Sequence, residues 1–280
     1  MNRLFLAILL LLPLLLSCEK EGNMCVGNFP DGTIMYEVPC DQWSGKYQGE
    51  MREYDNEGNL RITRFFVDNY EEDTTRFYTP TGFVWKKIPM KNGKAEGMLS
   101  EYRTDGTLYR TLNFENGLAH GAYRVYYPDG MQVLESSMYS EGRLNGPFIR
   151  NYPDGTPALT GEYMVGYKMG KWIRYRPEGG QVCVFTLYMD KRDGGFGVFR
   201  KSGMPYITGE FLNNRLEGDV SFFSEEGAII RKVQPDELWM MKQNDSLSVN
   251  DVLNNIPGLQ IPVDGNETIY IQGDSVWIQP

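Results

Sequence analysis

Apolar side chains return at three fixed places in a cycle of about 24 residues along this 280-residue chain. One column holds Met51, Leu99, Tyr123, Phe148, Trp172, Phe196 and Val220, with Thr75 as its polar member. A second, three residues later in each cycle, holds Tyr54, Tyr78, Tyr102, Tyr126, Tyr175, Phe199 and Phe223, with Asn151 as its exception. A third holds Phe66, Met90, Phe114, Tyr139, Tyr163, Leu187 and Phe211. Glycine keeps the same beat. Gly58, Gly82, Gly106, Gly130, Gly155, Gly179, Gly203 and Gly227 are 24, 24, 24, 25, 24, 24 and 24 residues apart. Nine residues before each stands Gly49, Asp73, Gly97, Gly121, Gly146, Gly170, Gly194 or Gly218. Pro-Asp-Gly at 128–130 and 153–155 is turn chemistry, and a second turn falls at Gly45, Asn69, Gly93, Gly117, Gly142, Gly166, Asp190 and Asn214, residue types that tolerate positive φ. Two turns per cycle leave two strands of about six to eight residues, one β-hairpin per repeat. The prediction is an all-β fold, an elongated single-sheet array of eight stacked antiparallel hairpins over residues 42–230, whose units bury apolar surface only against their neighbours. The aromatic columns are expected to be core.

Stretches such as Gly161-Glu-Tyr-Met-Val-Gly166-Tyr-Lys-Met-Gly170-Lys-Trp172 and Gly209-Glu-Phe211-Leu-Asn-Asn-Arg-Leu-Glu-Gly218 resemble the MORN (membrane occupation and recognition nexus) repeat, in its bacterial variant from antitoxin-like and lipoprotein families. The resemblance covers about residues 42 to 230 and implies a twisted antiparallel sheet serving as a binding scaffold. The unit opening at Asp73 departs from the pattern by lacking glycine. Upstream, Phe29-Pro-Asp-Gly32-Thr-Ile-Met-Tyr36 reads as a degenerate half unit, capping one sheet edge within an N-terminal segment of residues 18–41.

The first 17 residues carry one positive charge, Arg3, then an apolar run from Leu4 to Leu16. That run is short for a bilayer span and fits a secretory signal. Leu15-Leu16-Ser17-Cys18 resembles the bacterial lipobox, which implies cleavage after residue 17, acylation of Cys18, and an outer-membrane lipoprotein facing the periplasm or the exterior. Outside the cytoplasm, Cys25, Cys40 and Cys183 remain, an odd number. Cys25 and Cys40 bracket a short loop and are the candidate disulfide, whereas Cys183 in Gln181-Val-Cys-Val-Phe reads as a small buried hydrophobe.

Charge changes the list of partners. Against 28 basic residues stand 37 acidic ones, a formal charge of −9. Lysine and arginine are interspersed with acids, so nucleic acid is not expected as a partner. Nor does charge favour docking to anionic lipid headgroups. Chemistry is scarce. His120 is the single histidine, and its equivalents in the other units are Gln48, Glu72, Glu96, Asn145, Met169, Asp193 and Glu217, so it reads as one more polar surface residue. Glu57, Asp105, Asp129, Asp154, Glu178 and Glu226 sit just before turn glycines, where turn propensity and exposure account for them. No catalytic residue, metal site or cofactor is assigned, and no enzymatic activity is expected.

After Gly227 the beat stops. Residues 231–244 read as a cap or linker, and residues 245–280 as a small α+β segment with a helix from Ser248 to Ile256 and strands at 259–263 and 268–278. Asp251-Val-Leu253, Ile256-Pro-Gly258 and Ile269-Tyr-Ile-Gln-Gly273 resemble the start of a TonB-dependent receptor plug. The functional expectation is a membrane-anchored lipoprotein scaffold for an envelope protein partner. Alternatives are a carbohydrate or small-ligand binder using aromatics on the face opposite the core, and an antitoxin-like protein.

Overall fold

The computed structural model describes residues 23–235, 237, 268–272 and 275–279. Cys18, the signal segment and the C-terminal helix lie outside the described residues. Twenty strands form one antiparallel sheet. Successive strands pair with each other, apart from the two-residue pieces β7 (Lys94–Ala95) and β12 (Arg143–Leu144), which pair back with the strand before them, so the sheet is a continuous meander from β1 (Met24–Asn28) to β20 (Ile229–Val233). The hairpin of β1 and β2 (Ile34–Pro39) is complete, where the sequence pattern gave half a unit. Its Gly32 amide bonds the Phe29 carbonyl at 2.9 Å, the same contact that Gly58 makes to Asp55 and Gly106 to Arg103. A separate hairpin pairs β21 (Thr268–Gln272) with β22 (Ser275–Gln279).

The two turns of each repeat differ in kind. At the glycine-beat turns a residue with positive φ, such as Gly106 at 89°, closes a loop that re-enters the ladder with a register shift. The other turns are two-residue connections with both residues left-handed, as at Asn92-Gly93 (49° and 74°) and Asn213-Asn214 (48° and 69°). Such type I′ turns match the twist of the flanking strands. Two of these turns carry residues poorly suited to them, Val165 at φ 51° and Met189 at φ 51°. The residues read as repeat starts are not strand boundaries throughout. Asp73, Gly121, Gly170, Gly194 and Gly218 lie inside the nine-residue strands β5 (Tyr70–Tyr78), β10 (Leu118–Tyr126), β15 (Tyr167–Tyr175), β17 (Lys191–Phe199) and β19 (Arg215–Phe223). There they take positive φ and bend the strand. Asp73 does so at 61°, which is why it substitutes for glycine.

Neighbouring repeats are stitched at both edges. At the tight turns, the second turn residue donates its amide to a carbonyl 22 residues back: Gly93 to Glu71, Gly117 to Ala95, Gly166 to Leu144, and Asn214 to Arg192. The first turn residue donates to the side chain just before a repeat start, Asn92 to Glu72 at 2.8 Å and Asn116 to Glu96 at 2.7 Å. That role explains the run of polar residues at this position. At the opposite edge, Arg103, Arg176 and Arg200 donate to the Tyr126, Phe199 and Phe223 carbonyls, and Tyr127 and Tyr152 to those of Asn151 and Tyr175. Backbone groups that hairpin ends leave unpaired are satisfied this way, which couples each unit to the next.

The core lies on one face. Met51, Leu99, Phe148, Trp172, Phe196 and Val220 are buried there, and Thr75 is buried among them. Toward the C-terminal end Cys183, Phe185, Phe196, Val198, Ile207, Phe211, Val220 and Val233 form one apolar cluster. Toward the N-terminal end the same face turns ionic. Glu101, 6% exposed, is held by Arg110 through contacts of 2.5 and 3.0 Å and by Lys86 at 3.5 Å, and Arg64 bridges Glu53 and Glu71.

Candidate functional site

A sheet without a second layer offers two faces and two rows of turns as surfaces. The column Tyr54, Tyr78, Tyr102, Tyr126, Tyr175, Phe199, Phe223 is three residues out of phase with the buried column, so alternation puts it on the opposite face. The aromatic columns therefore do not form one core. Rings of the second column are half-buried and lie across the sheet: the Tyr54 hydroxyl donates to Glu37 at 2.7 Å, and Tyr78 shares a 3.2 Å hydrogen bond with Thr63.

Beside these tyrosines runs a line of directly paired residues. Arg52 is paired with Thr63, Thr63 with Arg76, Arg76 with Lys87, Lys87 with Ser100, Ser100 with Thr111, Thr111 with Arg124, and Arg124 with Ser136. Past Ser136 the row turns apolar through Ile149, Ile173 and Val184. Arg52 is matched on this face by Glu50 at 2.9 Å and by Glu37, its direct cross-strand partner, but past Arg52 the acids that alternate with these cations in sequence are elsewhere. Glu101 and Glu135 are ion-paired on the core face, and Glu72 and Glu96 cap tight turns. Asp105 and Asp129 bond their own loops, and those backbone hydrogen bonds hold both carboxyls below the usual range. Interspersion along the chain is thus separation on the surface. Sequence reasoning missed this row, although aligning the repeats three residues after each start gives Arg52, Arg76, Ser100 and Arg124.

The tight-turn edge carries exposed apolar side chains. On three successive hairpin tips stand Met164, Val165 and Tyr167, then Tyr188 and Met189, then Leu212, each between 45% and 57% exposed. Adjacent surface apolar groups of this kind, rich in Met and Tyr, are typical of protein contact sites.

Cys25 and Cys40 are disulfide-bonded, tying β1 to the end of β2. Cys183 is buried, and that burial pushes its thiol up to about 11, away from reactivity. His120 sits 3.7 Å from Glu115 at the tight-turn edge, with neither a nucleophile nor a buried acid beside it. Among the described residues no group of His, Cys, Asp and Glu is placed to hold a metal, and no helix is long and apolar enough to cross a membrane. The larger hollow, lined by Phe29, Pro30, Asp31, Asp55 and Asn56, is an open depression between two turns.

The fold and its surfaces define a hairpin-repeat protein built as one open sheet. Residues 47–68 match the MORN repeat variant, which spans the β3–β4 hairpin (Gly49–Tyr54 and Leu60–Val67) and its approach. MORN repeats are a non-catalytic, repeat-based interaction motif. No curated protein matches the sequence. Among solved structures, that described as TcdB2-TccC3-Cdc42 is similar at 10% identity and a TM-score of 0.16, covering 71% of this chain and 14% of that one. That of TcdB2-TccC3 is similar at 10% identity and a TM-score of 0.15, covering 75% of this chain and 15% of that one. This chain therefore spans only a small part of those proteins, and the likeness carries no argument.

Proposed function

We propose that the protein is a bacterial lipoprotein, anchored through an acylated Cys18 in the outer membrane, whose hairpin array is a non-catalytic scaffold for an envelope protein partner. The observation that carries this reading is the apolar row on the tips at Met164–Tyr167, Tyr188–Met189 and Leu212, presented on a sheet stitched at both edges. The Cys25–Cys40 disulfide supports an oxidising compartment, as does the lipobox-like Leu15-Leu16-Ser17-Cys18. Crosslinking in intact membranes tests the scaffold. A reproducible protein adduct at Tyr188, lost in a Tyr188→Asp/Met189→Asp variant that retains its circular dichroism, is the expected result, and an unchanged adduct pattern would sink the tip assignment. Anchoring is tested separately: Cys18→Ala should release the protein from the membrane fraction, and external protease on intact cells should report which way the array faces. The C-terminal segment is proposed to dock near outer-membrane transport machinery, and unchanged partner recovery after deleting residues 245–280 would remove that role. A carbohydrate reading is favoured by the tyrosine column on the face opposite the core, while nothing in the geometry favours an antitoxin-like one.

A further inference from the structure

We infer that the face opposite the core binds a linear acidic polysaccharide of the polyuronate class, one bearing a carboxylate on each sugar, along the row from Arg76 to Arg124. This goes beyond the scaffold reading and does not depend on it, because it uses a different surface.

Uncompensated charge is the first argument. Arg76 and Lys87 are direct cross-strand partners, and like charges placed opposite each other destabilise a sheet. Among the described residues neither has a carboxylate in ion-pair range. Arg76 instead donates to the Thr74 carbonyl at 3.1 Å, and the Lys87 ammonium lies 5.3 Å from the Tyr102 ring centre. Arg124, further along the same row, is exposed and likewise without a carboxylate partner. In a chain of formal charge −9, three unmatched cations in one line are a departure from the background. The neighbouring row on that face holds Glu50 and Glu72 at its start, on either side of Phe65, but is acid-free alongside these three cations, with Thr74 paired to Pro89, Met98 to Asn113, and Ala122 to Met138.

Spacing selects the ligand. Adjacent strands are about 4.8 Å apart, so Arg76 and Lys87 stand about one sugar apart, and Arg76 and Arg124, four strand steps from each other, are separated by about 19 Å. Tyr54, Tyr78, Tyr102 and Tyr126 recur on every second strand, about 10 Å apart, which is the advance of one disaccharide in an extended glycan. Their rings lie flat enough for the Tyr54 and Tyr78 hydroxyls to reach side chains on the preceding strand, leaving the outer ring faces for stacking on sugar C–H groups. Ser100, between Lys87 and Arg124, adds a half-buried hydroxyl suited to a hydroxyl-rich polymer. Double-stranded nucleic acid fits less well, since at one charge per about 1.7 Å it is about three times denser than cations one strand apart.

Affinity electrophoresis of the full chain through gels containing polygalacturonate, with dextran as the neutral control, is the test. The expected result is retardation by polygalacturonate alone, weakening as salt rises. In the Arg76→Gln/Lys87→Gln/Arg124→Gln variant the apparent Kd should rise at least tenfold, while its thermal midpoint stays level or rises because the like-charge pair is gone. Absence of retardation at low salt overturns the proposal, as does an unchanged Kd in the variant. Tighter binding to single-stranded DNA or to phosphatidylglycerol vesicles than to polygalacturonate overturns it in favour of those ligands. Single Lys87→Gln and Arg124→Gln variants keep the test valid if the triple variant does not fold. The tip variant Tyr188→Asp/Met189→Asp should bind polygalacturonate normally, so failure of the two readings is distinguishable.

Discussion

Gly161 is a position where the packing between repeats leaves no space for a single methyl group. It sits on β14 (Pro157–Met164) with ordinary backbone torsions, so its role is space rather than conformation. A Cβ placed there would stand 2.3 Å from both Cδ2 and Cε2 of Trp172 and 2.6 Å from Cε3. The indole has no room to retreat. Trp172 is 1% exposed and is wedged between Phe148 and Tyr163, with ring centres 5.3 and 5.4 Å away. Overpacking of this kind costs about 1–3 kcal/mol, and ejecting the indole instead would cost about 3–5 kcal/mol. We therefore expect Gly161→Ala to cost about 3 kcal/mol. In a Trp172→Ala background the added methyl enters the vacated space and should cost about 0.5 kcal/mol or less, a coupling of roughly 2 kcal/mol or more. Urea titrations of the two single variants and the double variant, followed by far-ultraviolet circular dichroism, measure that cycle. Hydrogen exchange at the β14 amides shows whether the loss is local, as repeat arrays permit. Gly195→Ala, which meets nothing within 4 Å, is the control and should be near neutral. A Gly161→Ala cost of about 0.5 kcal/mol or less, or strict additivity with Trp172→Ala, would refute the packing argument.

Three further outcomes follow from the same geometry. Val165 is β-branched at φ 51° in a tight turn, so Val165→Asn should stabilise by about 1 kcal/mol, raising the thermal midpoint by a few degrees; an unchanged or lower midpoint contradicts this. Glu101→Leu strands Arg110 and Lys86 on the core face and should cost about 3 kcal/mol or more in chemical denaturation, whereas Glu57→Leu at an exposed loop should be near neutral. Burial pushes the Tyr127 and Tyr163 hydroxyls up to about 12, above the ordinary value near 10. A raised folded-state value gives stability fully present below about pH 10 and lost as pH rises toward 12. Tyr127→Phe should flatten the alkaline fall in the thermal midpoint while forfeiting the 2.7 Å bond to Asn151, and an identical alkaline profile would count against the assignment.

How far the sequence could be read is clearest at particular residues. The 24-residue beat predicted the hairpins because turn glycines such as Gly106 and Gly155 are tied to one backbone shape. It misplaced strand boundaries because positive φ has two uses in this fold, and Gly170 bends a strand where Gly166 closes a turn. Asp73 shows the same ambiguity from the other side, since an Asx residue tolerates the left-handed region and hides the missing glycine. Faces were harder to read than strands. Positions three residues apart on one strand point to opposite sides, so columns equally rich in aromatics fall on opposite faces, Trp172 in the core and Tyr175 outside. That same parity hid the candidate site. Glu101 and Lys87 both belong to a mixed-charge sequence, yet their strands send Glu101 to a paired, buried position and Lys87 to an acid-free row beside Arg76. In a one-layer sheet every residue of a strand belongs to one surface or the other. Function is therefore written in every second residue of each strand, and charge counted along the chain averages away the one contrast that a ligand would feel.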